Sequence, residues 1–449
     1  MTTDKAFKRV VRARMAKTGE RYAVARRALT EADPDRRRPA PADAAVTPSG
    51  YRMRGGLHPE TATIANVLAN RGVVSGITGE PLTEGAILGI GGGLGAGYIL
   101  WEFKRHDAPV LTLGFRNQWQ YPPRWTVKTL DQLAIDAAVH ETGGAKGAKD
   151  ALDARLDAGL PVIATVDPQE LRTWGLPDAM SGYGGLVVVV IERTADGAYL
   201  VDDRGRSPFV VPADILAAAR GRVGSYKHRI VALPTTPGPL PADRLRAAIR
   251  TGLEDQVEHL RASSDSFSLP AWRKWARLLT DQRNAKAWPR VFADGVGLFG
   301  ALSAIHEDVD GGVGPGGGHL RELYADFLDE AAAALDTQAL GDAAKAWRAV
   351  ADRWEELADA AVPTDLDGAV DAVEAAEHLH AAVMAGEAGR SRVMAAAETV
   401  WSIRERYAEA FPLPPERIVA ILEDLGERVG AIHEAEVDAL EMTARAIGR

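Results

Sequence analysis

The feature that most constrains this 449-residue chain is a change of hydrophobic pattern near Pro241. Before it, short apolar runs rich in β-branched residues alternate with stretches of helical spacing, the texture of a mixed α/β region. After it, Ala- and Glu-rich segments keep helical periodicity nearly to the end, as close-packed helices do. In the first part the pattern predicts a helix over Glu60–Asn70 with Pro59 in its first turn, where a missing N–H costs nothing. It predicts strands at Val110–Gly114, Leu160–Val166, Gly197–Asp202, Pro208–Val211 and His228–Leu233, and helices at Ala148–Ala158 and Asp214–Ala219. The run Leu186–Glu192 is unbroken and β-branched, which predicts a central strand. In the second part helices are expected at Ala242–Ser263, Pro270–Asp281, Trp288–Asp308, Leu320–Leu335 and Gly341–Ala360, then over 366–449 with a break at Phe411–Pro415.

Composition narrows the chemistry. Hydrophobic residues are 46% and charged residues 26%, enough apolar material for a core and against wholesale disorder. There is no cysteine, which excludes disulfides, thiolate metal sites and a cysteine nucleophile. The longest uncharged run, Gly85 to Trp101, has 17 residues, seven of them Gly, too short for a membrane span of ~20 apolar residues. It is expected to be buried core, with no membrane partner and a cytoplasmic address.

Charge is unevenly spread. Residues 1–38 hold twelve Lys/Arg and five Asp/Glu, a local +7, which leaves −16 on the rest of a chain whose net charge is −9. Phe7, Val10, Val11 and Met15 form one helical stripe, and Tyr22, Ala25 and Leu29 a second after Gly19, so a short helical hairpin is expected over 5–29. Arg9, Arg12, Arg14, Lys17, Arg26 and Arg27 make it a basic arm, suited either to an anionic partner or to docking on the acidic body. Asp33–Ser49 reads as a Pro/Ala-rich linker.

The glycine-rich stretch Gly89-Ile-Gly-Gly-Gly-Leu-Gly-Ala-Gly97 matches G-x-G-x-x-A at Gly91, Gly93 and Ala96. The apolar run before it is short and no clear acid-tipped second strand follows, as the dinucleotide fingerprint requires, so close backbone packing in a core turn is expected. No Walker A motif occurs. A second cluster, ending Gly316-Gly317-Gly318 before the amphipathic stripe Leu320, Leu323, Tyr324, Phe327, Leu328, suggests either an anion site completed by Arg321 or a flexible connection. His319/Glu322/Asp326, His378/His380 and His306–Asp310 do not reproduce a metal-ligand spacing, and no metal or cofactor is expected.

Several motifs then agree in order with one family. His58-Pro-Glu-Thr-Ala-Thr-Ile-Ala-Asn-Val-Leu-Ala, followed by Leu82-Thr-Glu-Gly-Ala-Ile-Leu-Gly-Ile-Gly-Gly-Gly-Leu-Gly-Ala-Gly-Tyr98, resembles the N-terminal domain of butirosin biosynthesis protein H. Asp157-Ala-Gly-Leu-Pro-Val-Ile-Ala-Thr-Val-Asp167, Gly184-Gly-Leu-Val-Val-Val-Val190 and Tyr199-Leu-Val-Asp-Asp203 resemble its later strands. Gly316–Ala331 resembles the helical domain of unknown function that accompanies it. The resemblance implies a papain-like (cysteine-peptidase-like) α/β fold and acyl transfer by a thiolate at a helix N-terminus, a histidine on a facing strand and an acid orienting that histidine. At the nucleophile position stands Pro59, and at the histidine position Gly185; only the acid has a counterpart, in Asp202 or Asp203.

The expected organisation is a basic hairpin and linker (1–49), a papain-like α/β domain (50–236), a helical domain (237–362) and additional C-terminal helices (363–449). The first functional expectation is a catalytically degenerate family member that binds a protein partner or a small-molecule or peptide ligand in the old cleft, with an oligomer compatible with its surface. The alternative is a tailoring acyltransferase or amide-processing enzyme with rearranged chemistry, its cleft lined by His58, Thr61, Tyr183 and Asp203. The third is anion or nucleic-acid binding through residues 5–38.

Overall fold

Pro59 opens the first helix, α1 (Pro59–Asn70), at a position that needs no N–H partner, and every residue from Pro59 to Leu68 is buried. Such a helix has no solvent face and must lie at the centre of the molecule. The computed structural model describes residues 44–102, 109–235, 238–310, 317–363 and 365–449. The arm residues Arg9, Arg12, Arg14, Lys17, Arg26 and Arg27, and Gly316, lie outside the described residues.

After α1, Thr83 caps α2 (Glu84–Ile90) by accepting the Ala86 N–H, and the glycine-rich run turns the chain into β1 (Leu94–Trp101). The turn depends on Gly92 at φ 101° and Gly93 at φ 66°. A Cβ on Gly93 would lie 1.9 Å from Gln256 Oε1 and one on Gly89 2.2 Å from the Phe327 ring, so this stretch is a close-packing turn against the helical part, as expected. β1 pairs antiparallel with β2 (Val110–Arg116), Gly97 opposite Gly114. The Trp119 indole covers both glycines, 2.4 and 2.2 Å from where their Cβ atoms would stand.

α3 (Pro122–Gln132) follows, then a six-stranded antiparallel sheet in the order β3-β8-β4-β5-β6-β7. Its strands are β3 (Ala138–His140), β4 (Val162–Val166), β5 (Leu186–Arg193), β6 (Tyr199–Asp202), β7 (Phe209–Val211) and β8 (Ile230–Ala232). α4 (Ala145–Asp157), α5 (Pro168–Leu171) and α6 (Ala213–Gly221) connect them. β5 is central, and its unbroken apolar run has a cause: Val187, Val189 and Ile191 enter one core, and Leu186, Val188 and Val190 the other.

The helical part is α7 (Ala242–Arg261), α8 (Pro270–Thr280), α9 (Trp288–Val291), α10 (Leu298–Asp310), α11 (Arg321–Leu335), α12 (Gln338–Ala361), α13 (Ala369–Met384), α14 (Arg390–Arg406) and α15 (Pro415–Ala446). The single helix expected over Trp288–Asp308 is two helices, interrupted where Gly295 and Gly297 take φ of 79° and 73°. The C-terminal helices do two jobs. α13 and α14 return to the sheet, where Leu379, Val383, Val393 and Val400 complete the core behind β5, while α15 lies against α8 and α12. One apolar core runs without interruption from α1 and β5 into α8, α12 and α15. No helix among the described residues is long and apolar enough to cross a membrane.

Candidate functional site

The N-terminus of α1 faces the sheet. Thr63 Oγ1 on α1 reaches the Val187 carbonyl of β5 at 3.5 Å, and Gly185 stands immediately before β5. Pro59 occupies the first helical position and carries no donor. At Gly185 a Cβ would lie 2.8 Å from the Tyr226 ring and 3.0 Å from Thr165 Cγ2. The space a side chain at 185 would use is filled by a tyrosine from the 3₁₀ turn Gly224–Tyr226. Burial, then Asp167 and Glu60, push the Tyr226 hydroxyl above its usual range.

His58 precedes α1 and does not cap it with its side chain; its Nε2 lies 3.2 Å from Glu60 Oε2. Glu60 is also 3.9 Å from Arg116 Nε, and the Arg116 guanidinium stacks 4.2 Å over the Trp125 ring. Burial pushes the His58 imidazole down to about 3, against Glu60 and together with Arg116 and Arg204. The ring is therefore neutral at pH 7, and its Nε2–H is the natural donor to Glu60. That leaves Nδ1 as a bare acceptor, and Nδ1 is buried without a partner. Burial raises the Glu60 carboxyl, but the contact with His58, the Arg116 charge, a backbone hydrogen bond and the Arg204 charge outweigh it and hold the acid below its usual range.

Glu84 organises the turn. Its carboxylate accepts the Leu57 N–H at 2.9 Å, the His58 N–H at 2.8 Å and the Thr61 hydroxyl at 2.8 Å. Thr61 is 0% exposed and also contacts the His58 carbonyl at 3.2 Å. Its hydroxyl hydrogen is engaged by an acceptor that holds the loop, an arrangement that positions backbone rather than delivering a nucleophile.

The acids are close by. Asp203 pairs with Arg204 Nε at 3.2 Å and accepts the Trp174 indole N–H at 2.8 Å. Arg204, at φ 59°, donates to the Leu57 carbonyl at 2.8 Å, tying Asp203 to the segment before His58. Asp202 accepts from Tyr51 at 3.0 Å and Asn66 at 3.4 Å, and burial, with Asp203 adding to it, pushes its carboxyl up to about 6. The structure thus gathers His58 and Thr61 at the α1 N-terminus with Pro59, ties Asp203 to it through Arg204, and sets Asp202 farther along the helix against Asn66. Tyr183, by contrast, is 48% exposed.

A cavity of about 90 Å³ opens beside His58, bounded by Gly114, Arg116, Trp119, Asp308 and Leu320. Asp308 comes from α10; burial and Glu307 push its carboxyl up to about 7, against the Leu113 N–H and Arg404. Glu60, Glu84, Arg116, Arg204, Tyr226 and Asp308 escape sequence reasoning. Glu60 and Glu84 sit inside quoted motifs, Arg204 directly follows one, and Asp308 falls in the run His306–Asp310 weighed only for a metal; Arg116 and Tyr226 come from segments with no local signature.

The expected anion site at Gly316–Gly318 and Arg321 is corrected where it is described. Gly317 is a close-approach residue: a Cβ there would lie 2.7 Å from the His58 Cα. Gly318 likewise seats against the Val309 carbonyl at 3.0 Å. Arg321 is 0% exposed and its guanidinium is held by Glu436 at 2.8 Å, so it has no charge to offer an anion. The adjacent pocket of about 130 Å³ is lined by Asp310, Glu322, Glu355 and Asp359, an acidic wall unsuited to anions. No group of three or more His, Asp or Glu among the described residues has the arrangement of a metal site.

The architecture defines the class: a mixed α/β domain with a central buried helix directed at an antiparallel sheet, continued by an all-helical part. Comparison with known families places it further. Residues 58–204 match the family "Butirosin biosynthesis protein H, N-terminal", and residues 215–389 match "Domain of unknown function (DUF4872)". The chain is thus similar to the butirosin biosynthesis protein H N-terminal family over the first segment and to the helical domain of unknown function over the second. No curated protein matches the chain.

Proposed function

We propose that this chain is a binding member of the family, built on a biosynthetic acyltransferase-like domain that has lost its thiol chemistry. The observation that carries the reading is the filled position at Gly185, where the Tyr226 ring stands 2.8 Å from any Cβ. Pro59 at the helix N-terminus and a sequence without cysteine support it. The mechanism implied by the resemblance needs a thiolate, a facing base and an orienting acid; here only Asp203 and Asp202 answer, and Asp203 is engaged by Arg204 and Trp174. The cleft becomes a place to hold a small-molecule, peptide or protein ligand.

A second reading, rearranged chemistry, is favoured by the His58–Glu60 contact at 3.2 Å, the geometry of an oriented base. Against it, a ring pushed down to about 3 is a weak base at neutral pH, and Thr61 is turned to Glu84. Nucleic-acid binding through residues 5–38 concerns a segment outside the described residues; it predicts salt-sensitive binding that is lost when the arm is deleted.

The test is a turnover screen of purified full chain against acyl and aminoacyl thioesters and simple amides, with an amine acceptor present. The expected result is release indistinguishable from buffer. Turnover that disappears in both Glu60→Gln and His58→Gln overturns the reading.

A further inference from the structure

The pocket of about 130 Å³ bounded by α10, α11 and α12 joins two chemistries. Leu57, Leu320 and Leu323 give it an apolar lining, and Asp310, Glu322, Glu355 and Asp359 an acidic one. No Lys or Arg stands among the described residues that line it. The chain between Asp310 and Gly317 reads Gly-Gly-Val-Gly-Pro-Gly and brings no charged side chain either. A groove with an apolar surface and acidic borders fits an amphipathic segment whose apolar residues are flanked by cations.

Such a segment belongs to the same chain. Phe7, Val10, Val11 and Met15 fall on one helical stripe of the sequence, with Arg9, Arg12 and Arg14 interleaved. Residues 1–38 carry a local +7 and the rest of the chain −16, so charge draws the two together. The connection also starts in the right place. Ala45, at the start of the described chain, donates its N–H to the Arg206 carbonyl at 2.9 Å. Arg204, two positions before Arg206, donates to the carbonyl of Leu57, a pocket residue, at 2.8 Å. The stretch from Leu29 to Ala44 can span on the order of 50 Å at ~3.3–3.6 Å per residue, ample for residues 5–29 to lie over a pocket beside its anchor. A tether of that kind sets an effective concentration on the order of 1 mM, so contacts too weak to hold a separate peptide suffice.

We propose that residues 5–29 dock on this pocket as an internal partner, the Phe7–Met15 stripe against Leu57, Leu320 and Leu323 and the arginines against Glu355 and Asp359. The docked arm covers the segment that leads into α1. Leu57 precedes His58, and a Cβ on Gly317 of the same pocket would lie 2.7 Å from the His58 Cα. An anion that binds the arm must first draw it off this surface.

Hydrogen–deuterium exchange of the full chain, read by mass spectrometry on fragments covering residues 5–29, tests the docking. In about 50 mM salt these fragments are expected to exchange about tenfold or more slowly than in about 0.5 M salt, because screening weakens the contact. Glu355→Lys with Asp359→Lys is expected to bring the low-salt rate to within about twofold of the high-salt rate. Asp136→Lys with Asp214→Lys makes the same change of net charge at two exposed positions of the α/β part, and is expected to keep the protection within about twofold. Fragments from β5 report the fold and are expected to exchange alike in every sample. Where they do not, Glu355→Gln with Asp359→Asn replaces the reversed pair, with an expected loss of about threefold. Full exchange of residues 5–29 at low salt, protection that salt leaves unchanged, or equal losses in the pocket and control variants would each overturn the assignment. So would protection that rises with protein concentration, which would put the arm on a second copy. None of these readouts depends on turnover, so activity in the thioester screen would leave the docking standing.

Discussion

Two of the buried arginine centres among the described residues are finished differently. In the helical part, Arg321 and Glu436 are both 0% exposed and paired, Nε to Oε1 at 2.9 Å and Nη2 to Oε2 at 3.1 Å. The remaining valences are used: Nη1 donates to the His319 carbonyl at 2.6 Å and Nη2 to the Gly95 carbonyl at 3.1 Å, while Glu436 accepts the indoles of Trp272 at 3.1 Å and Trp354 at 2.7 Å. Phe115 and the same two tryptophans enclose the guanidinium. Along α1, Arg116 and Arg204 also meet acids, but Arg116 Nε, Arg204 Nη2, His58 Nδ1 and Asp202 Oδ1 are left without hydrogen-bond partners. A closed network specifies how β1, α11 and α15 fit together; an open one retains capacity for a ligand.

The comparison breaks most visibly at Glu436. Glu436→Gln leaves the buried Arg321 without its counter-charge and is expected to lower stability by about 3–5 kcal/mol in denaturant unfolding, most of it recovered when Arg321→Met is added. A small effect would mean that water reaches this centre and that the contrast with the α1 N-terminus is not one of closure.

Next in size is a pH effect at the open centre. The Asp202 carboxyl, pushed up to about 6 by burial, holds its proton more tightly in the fold than the ~3.9 of an unfolded aspartate. Its stabilising contribution is full below about pH 4 and lost as pH rises through 6. Asp202→Asn removes that loss, so the variant should gain on the wild type by about 2–3 kcal/mol between pH 4 and 7.5, measured by thermal or denaturant unfolding across pH.

Gly185→Ala places a Cβ 2.8 Å from the Tyr226 ring and is expected to cost about 1–3 kcal/mol, with the cost reduced when combined with Tyr226→Ala. Additivity of the two changes would show that Tyr226 does not occupy this position in solution. The smallest effect belongs to the surface. Arg348 bridges Asp326 at 2.8 Å and Asp329 at 2.7 Å, and Arg348→Ala is expected to change stability by about 1 kcal/mol or less.

How much of this was legible in the sequence follows the same physics. β5 is readable because both of its faces are buried, which forces an unbroken apolar run. Pro59 and Gly185 are readable because a motif fixes their places in line. β1 is hidden because the close approach of the Arg116 backbone to Gly95 and of the Trp119 indole to Gly97 demands glycine where strand formers would signal a strand. α3 is hidden because Pro122 and Pro123 look like a break, although the first helical turn accepts them. Arg116 and Asp308 reach the cavity from β2 and α10; nothing local marks Arg116, and the acidic run around Asp308 points only to a metal; Arg321 looks free in sequence because its partner is 115 positions away.

The central claim is that the α1 N-terminus holds a ligand without reacting with it. Intact-mass spectrometry of the full chain after exposure to an aminoacyl thioester tests it most directly. The account predicts an unchanged protein mass and an intact thioester. A stoichiometric acyl adduct that maps to Thr61 and is absent from Thr61→Val would contradict it.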